Sequence, residues 1–270
     1  MRPIHFISGL PRSGSTLLAA LLQQNPRFHA GMSGPVAEML NCLLGEMSGS
    51  NEYSVFLSDE QRKRILLGVV EQYYGPEYPA EVIFDTNRSW CARMPLLHSL
   101  FPNSRVIACV RDLPWVIDSI EQLIRRNALS PSSIFKFQPG GNVYARADGV
   151  ANGEGMVGYS YNALKEAFYG EHARKLLLVQ YDSLISNPQR VIDAVYSFIE
   201  QPRYPHDFEN ISFEADEFDR RAGTPGLHAV RRKISASPRQ TVLPPDVFRR
   251  FENDSFWKNP QLNPYGVQIV

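Results

Sequence analysis

Short, largely apolar runs alternate along this chain with longer segments of helical character. Four runs stand out: residues 4–8 (IHFIS), 82–85 (VIFD), 105–110 (RVIACV) and 176–181 (LLLVQY). They are too short for helices, rich in β-branched residues, and lack the polar alternation of a half-exposed strand. They read as strands buried on both faces. Residues 16–24 (TLLAALLQQ) form a helix stopped by Asn25-Pro26. Further helices are expected over 36–47, from a cap at Ser58 to about Tyr74, over 90–100, over 113–127 with Pro114 in the first turn, over 157–172, and from Asn187-Pro188 to Glu200. Residues 29–35 read as a loop. Residues 130–155 are the least regular stretch, with Pro131, Pro139 and five glycines from Gly140 to Gly155. Residues 201–239 are polar and irregular, and 244–251 a last short helix. The alternation predicts an α/β protein of three layers, a central parallel sheet flanked by helices. Ligands of such sheets bind beyond the carboxyl ends of the strands. Functional residues should therefore follow Ser8, Phe84, Val110 and Val179.

Composition narrows the class. A chain of 270 residues with 43% hydrophobic content can bury one sizeable core, so a single domain over 1–270 is expected. Lys+Arg 28 against Asp+Glu 28 leaves no net charge, which argues against a broad nucleic-acid surface. Cys42, Cys91 and Cys109 show neither metal spacing nor a disulfide framework, pointing to a reducing, cytoplasmic setting. No apolar run approaches the roughly 20 residues of a membrane span. The first strand begins at once, so no signal peptide is expected.

The chemistry starts at the end of the first strand. Gly9, Leu10, Pro11, Arg12, Ser13, Gly14 and Ser15 join strand to helix, with Thr16 next. A glycine-bearing loop running into a helix N-terminus holds phosphate through inward amides and flanking hydroxyls, as in P-loop-like folds. The nucleoside-triphosphatase spacing GxxxxGK[ST] is absent, and the cation, Arg12, lies inside the loop. The loop should therefore hold an anionic ester with no requirement for Mg²⁺. After the third strand comes Arg111-Asp112. An arginine there can grip phosphate bidentately, and Ser119, about two turns into the next helix, can point at the same anion. The second strand leads to Arg88, and the fourth ends at Tyr181.

PRSGSTLL resembles the 5′-phosphosulfate loop of sulfotransferases that use 3′-phosphoadenosine 5′-phosphosulfate (PAPS), with the pattern P-[KR]-[ST]-G-[ST]-[ST]. VIACVRDLPWVIDSI is similar to the element that holds the 3′-phosphate in that family, and YDSLISNP to its Y-E-x-L-x-x-x-P. LFPNSRVI is typical of tyrosylprotein sulfotransferases. The resemblance, to a bacterial member of the family, covers residues 4 to about 200. It implies that Pro11, Arg12, Ser13, Gly14, Ser15, Thr16, Arg111, Ser119 and Tyr181 bind PAPS or its product PAP. It implies too that a basic C-terminal loop, here Arg231 and Arg232, closes over the cofactor. Arg12 and Arg88 would be catalytic cations on the leaving oxygen, and no metal is needed. The chain departs from the family at the base. Where many cytosolic members have a histidine, this chain has Trp90. Where tyrosylprotein sulfotransferases have a glutamate, it has Met32 or Ser33. Glu38 is the nearest carboxylate, catalytic or merely serving a helix start. His29 and His228 read as structural. The implied reaction moves a sulfuryl group to a hydroxyl or amine of a small-molecule or peptide acceptor. A kinase-type phosphotransferase and a non-catalytic PAP-binding module are the alternatives.

Overall fold

The computed structural model describes residues 2–130, 132–135, 141–235 and 239–270. Its strands are β1 (Ile4–Gly9), β2 (Phe28–Ala30), β3 (Val82–Thr86), β4 (Val106–Val110), β5 (Leu176–Gln180) and β6 (Gln268–Ile269). Its helices are α1 (Ser15–Leu22), α2 (Val36–Glu46), α3 (Asp59–Tyr73), α4 (Met94–Leu100), α5 (Leu113–Arg126), α6 (Val143–Ala151), α7 (Met156–Tyr169), α8 (Tyr181–Ser186), α9 (Pro188–Phe198), α10 (Asp216–Arg221) and α11 (Pro245–Arg250). A 3₁₀ turn, Arg88–Arg93, joins β3 to α4.

All six strands form one sheet of order β2-β3-β1-β4-β5-β6, and every pairing is parallel. Side chains alternate between faces. Phe6, Val106, Ala108, Val110, Leu176 and Leu178 pack into one core with α2 to α7. Ile7, Ile107, Cys109, Leu177 and Val179 pack into the other with α1, α8 and α9. Both faces are covered, which is why these strands carry continuous apolar runs. Trp90 and Phe101 stack on Phe6 on the first face, and Phe28 lies between Phe84 and Tyr196 on the second. α3 opens with a complete capping box between Ser58 and Gln61.

The sheet is broader than the apolar runs foretell. Residues 28–30, part of the expected loop, pair with β3 in register Phe28↔Val82. Residues 268–269 pair with β5, and Gln180 N–H donates to the Val270 carbonyl at 2.8 Å. Both are too short for a pattern; an existing edge orders them. The irregular stretch 130–155 contains α6, capped by Asn142 on the Ala145 amide. Its residues 131 and 136–140 lie outside the described set. Tyr181 opens α8 instead of ending β5. Among the described residues no helix is long and apolar enough to cross a membrane.

Candidate functional site

The carboxyl ends of β1, β4 and β5 meet at one point. Gly9 is left-handed, φ 104°, because the chain presses on β4: a Cβ there would lie 2.2 Å from the Cys109 carbonyl oxygen. The Leu10 amide donates to that carbonyl at 2.9 Å. Gly14 is left-handed as well, φ 94°, and a Cβ on it would meet Tyr181 Cδ2 at 3.0 Å. Between them Arg12, no glycine, adopts φ 57°, a strained conformation of the kind found at ligand sites. Ser13 is buried and donates to the Pro11 carbonyl at 3.3 Å. α1 starts at Gly14 with no side-chain cap and no acidic residue in its first turn, so its amides stay open to an anion. The Ser15 and Thr16 hydroxyls make no side-chain hydrogen bond among the described residues.

Arg12 reaches across to α5. Its Nε donates to Ser119 Oγ at 3.1 Å and its Nη1 donates to the Leu227 carbonyl. Burial, then the charges of Arg126, Arg111 and Arg239, lowers its pKa to about 10. Arg111 leaves β4 with its guanidinium carbon 4.2 Å from the centroid of the Tyr181 ring. Burial and Arg239 lower its pKa too. Its Nη1 reaches the Arg12 carbonyl at 3.5 Å, and its buried Nε has no partner. Asp112 does not neutralise it: that carboxylate accepts from Ser255 Oγ at 2.8 Å and Lys258 Nζ at 2.7 Å. Two guanidiniums with no ion-pair partner among the described residues, a serine hydroxyl and an open helix start thus share one cradle. An orphaned buried donor among these cations is suited to an anionic partner. The residues present fit a phosphate-bearing nucleotide.

A C-terminal strap, residues 222–235 and 239–243, lies over this cradle. Ser133 N–H donates to the Ala222 carbonyl at 3.2 Å and Asn127 Nδ2 to the Pro225 carbonyl at 3.1 Å. Arg239 Nη2 pairs with Asp118 Oδ2 at 2.8 Å, and the Thr241 hydroxyl and Val242 amide donate to Asp118 Oδ1 at 2.9 and 2.7 Å. Arg239 and Arg126, which the sequence reading did not single out, add to the positive charge felt by Arg12. One signal pointed there: Asp118 interrupts the apolar face LPWVIDSI of α5, and a fully buried carboxylate needs a partner. Arg232 of the same strap bonds Asn210 Oδ1 through Nε at 3.2 Å and Nη2 at 2.8 Å, and Arg231 is exposed.

On the other side, β3 delivers Arg88. Its side chain is exposed and makes no hydrogen bond or ion pair among the described residues. Its carbonyl accepts from the Ser8 hydroxyl at 3.0 Å, locking the 3₁₀ turn to β1. Asp85 does not pair with it. That buried carboxylate accepts from Tyr74 Oη at 2.6 Å and Trp90 Nε1 at 2.7 Å. Burial raises its pKa against these two donors. Trp90 is a core residue whose only polar atom is spent on Asp85. Glu38 sits exposed in the first turn of α2 with no partner among the described residues. No group of three or more His, Cys, Asp or Glu there is placed to hold a metal ion.

Sheet, loop and cationic cradle define an α/β protein with a cluster of cations at the carboxyl ends of β1, β4 and β5. More narrowly, the chain belongs to the sulfotransferase family, whose model matches residues 3–205. It is similar in fold to the sulfotransferase domain of the curacin biosynthetic pathway, with 17% identity over 76% of each chain and a TM-score of 0.50. A sulfotransferase from Alicyclobacillus acidocaldarius matches at 14% identity over 80% of this chain and 88% of the other, with a TM-score of 0.47. The sulfotransferase domain of the Synechococcus PCC 7002 olefin synthase matches at 17% identity over 92% and 94%, with a TM-score of 0.44. No curated protein matches the sequence.

Proposed function

We propose that the chain is a PAPS-dependent sulfotransferase that moves the sulfuryl group to a hydroxyl or amine of a small-molecule or peptide acceptor and releases PAP. The observation that carries this is the convergence of Arg12, Ser119, Arg111 and Tyr181, with Arg111 Nε buried and unpaired. When bound, PAPS supplies a sulfuryl group already activated by a phosphate leaving group. Arg111, Ser119 and Arg239 would hold the 3′-phosphate, and the loop amides, Ser15, Thr16 and Arg12 the 5′-phosphate. Arg88, the free cation on the facing strand end, would steady charge on the departing oxygen. Fixed guanidiniums take the part that Mg²⁺ plays in phosphoryl transfer. Residues 206–270 return to the same sheet as β6 and to the same cradle as the strap, which supports one domain over the whole chain.

PAP at about a hundred times its dissociation constant should stabilise the protein by about 2.7 kcal/mol, and PAPS turnover should survive EDTA. Stabilisation by ATP with none by PAP, and Mg²⁺-dependent turnover of ATP, would instead establish a kinase.

A further inference from the structure

We infer that Asp118 is a positioning residue for the nucleotide: it holds Arg239 of the strap beside Ser119, so that docking of the strap and binding of the 3′-phosphate are one coupled event; this rests on the sulfotransferase reading above. Trp115 lies three and four residues before Asp118 and Ser119, and Gln122 four and three after them, so all four share one face of α5. On that face Ser119 Oγ meets Arg12 Nε at 3.1 Å. The strap docks on the same face. Arg239 sets its guanidinium carbon 5.5 Å from the centroid of the Trp115 ring and its Nη2 2.8 Å from Asp118 Oδ2. A third guanidinium is thereby fixed next to the serine of the cradle.

Asp118 is fully buried, and four donors converge on it. Oδ2 accepts from Gln122 Nε2 at 2.9 Å as well as from Arg239, and Oδ1 accepts from the Thr241 hydroxyl and the Val242 amide. Arg125 Nη2 donates to the Val242 carbonyl at 3.1 Å, so residues 239–242 are clamped to α5 through both side chains and backbone. Arg239 spends only Nη2 on this clamp. Its Nε and Nη1 make no hydrogen bond among the described residues, and 28% of its side chain is open. The group is held in place with donors to spare.

A buried ion pair adds little to stability, because desolvation cancels most of the attraction. It does fix position. Arg239 is repelled by Arg111 and by Arg12, whose pKa values it lowers, and Asp118 offsets that repulsion on Arg239 alone. Arg12 and Arg111 have no ion pair among the described residues and stay ready for an anion. Once a phosphate lies between the cations, repulsion becomes attraction and the spare donors of Arg239 gain an acceptor. By linkage, the docked strap tightens the nucleotide and the nucleotide tightens the strap by the same factor.

The test uses the full chain, with PAP and with adenosine 5′-phosphate, which lacks the 3′-phosphate. Asp118→Asn keeps the side-chain volume and an oxygen for Thr241 and Val242 but removes the partner of Arg239. It should bind PAP about 10- to 150-fold more weakly and adenosine 5′-phosphate like the wild type. Net charge alone would act the other way, since the substitution adds one positive charge to the site. Tighter or unchanged PAP binding in the folded variant therefore overturns the proposal, as does an equal loss for both nucleotides, which a general structural defect would produce. Arg239→Gln should lose PAP affinity too, and the double variant should lose no more than Arg239→Gln, because the two residues act as a unit; losses that add overturn the proposal. If Asp118→Asn does not fold, hydrogen exchange of the wild type decides: the peptide carrying the Val242 amide should exchange more slowly with PAP and not with adenosine 5′-phosphate, and no slowing with PAP overturns it equally. A wild type that does not bind PAP sinks the sulfotransferase reading itself, whereas PAP binding that the variants leave untouched sinks only the role of Asp118.

Discussion

Arg111→Met separates a residue kept for a ligand from one kept for the fold. In the free protein the guanidinium gains a stacking contact with Tyr181, about 0.5–2 kcal/mol. Its 3.5 Å bond to the Arg12 carbonyl is at the limit of hydrogen bonding and adds little. Against this stand a buried Nε with no acceptor, costing roughly 1–3 kcal/mol, and repulsion from Arg239. Methionine keeps the length and a sulfur–aromatic contact of about 0.3–1.5 kcal/mol with Tyr181. The free variant should therefore melt at or above the wild-type temperature. PAP should bind it more weakly by about 1.5–3 kcal/mol, the worth of a charge-assisted bond, which is about 10- to 150-fold. At a PAP concentration giving the wild type about 2.7 kcal/mol, the variant should gain only about 0.3–1.4 kcal/mol. Thermal melts of both proteins with and without PAP read this directly. A variant that melts well below the wild type yet keeps the full PAP response would make Arg111 a framework residue and refute the reasoning.

Arg88→Ala should fold, bind PAP normally and lose about 10²–10³ in single-turnover rate, and Arg88→Lys should recover much of it because a point charge suffices; normal chemistry in the folded alanine variant removes Arg88 from the mechanism. Asp85 is held above the ordinary carboxylate range by burial, so its contribution to stability is full below that range and is lost as pH rises through the native value. Asp85→Asn should erase that slope from unfolding curves taken between about pH 4 and 8, at a cost of about 1–3 kcal/mol because the amide offers one acceptor oxygen where the carboxylate offered two to Tyr74 and Trp90; an unchanged slope would place the titration on another group.

The parts of the molecule that were legible are those whose information is local. PRSGST, Arg111 with Ser119, and Tyr181 each follow a buried strand, and parallel topology alone brings strand ends together, so their meeting at one cradle could be anticipated. The Asn187 and Ser58 caps were readable because a cap and its partner lie within one turn. The strap was not. Arg239 meets Asp118 across more than a hundred residues of chain, and nothing in its own neighbourhood marks it apart from Arg231 and Arg232. The contact between His228 and Asp219 was not legible for the same reason: the carboxylate lies on α10, in a stretch with no periodicity to suggest a helix. β2 and β6 failed differently, since two or three residues form a strand only when a sheet edge is already there to receive them.

The pairing of the sheet bears on how the protein comes to exist. Ile7 pairs with Ile107, and Ile107 with Leu177, so neighbours in the sheet are distant in the chain. Pairings of this kind close large loops before they are rewarded, and such topologies fold slowly. The cradle draws one wall each from the ends of β1, β4 and β5, and its cover from the strap near the carboxyl terminus. A fragment that stops short of the strap lacks its cover. A ligand of the cradle would therefore stabilise only molecules in which all of these segments have docked.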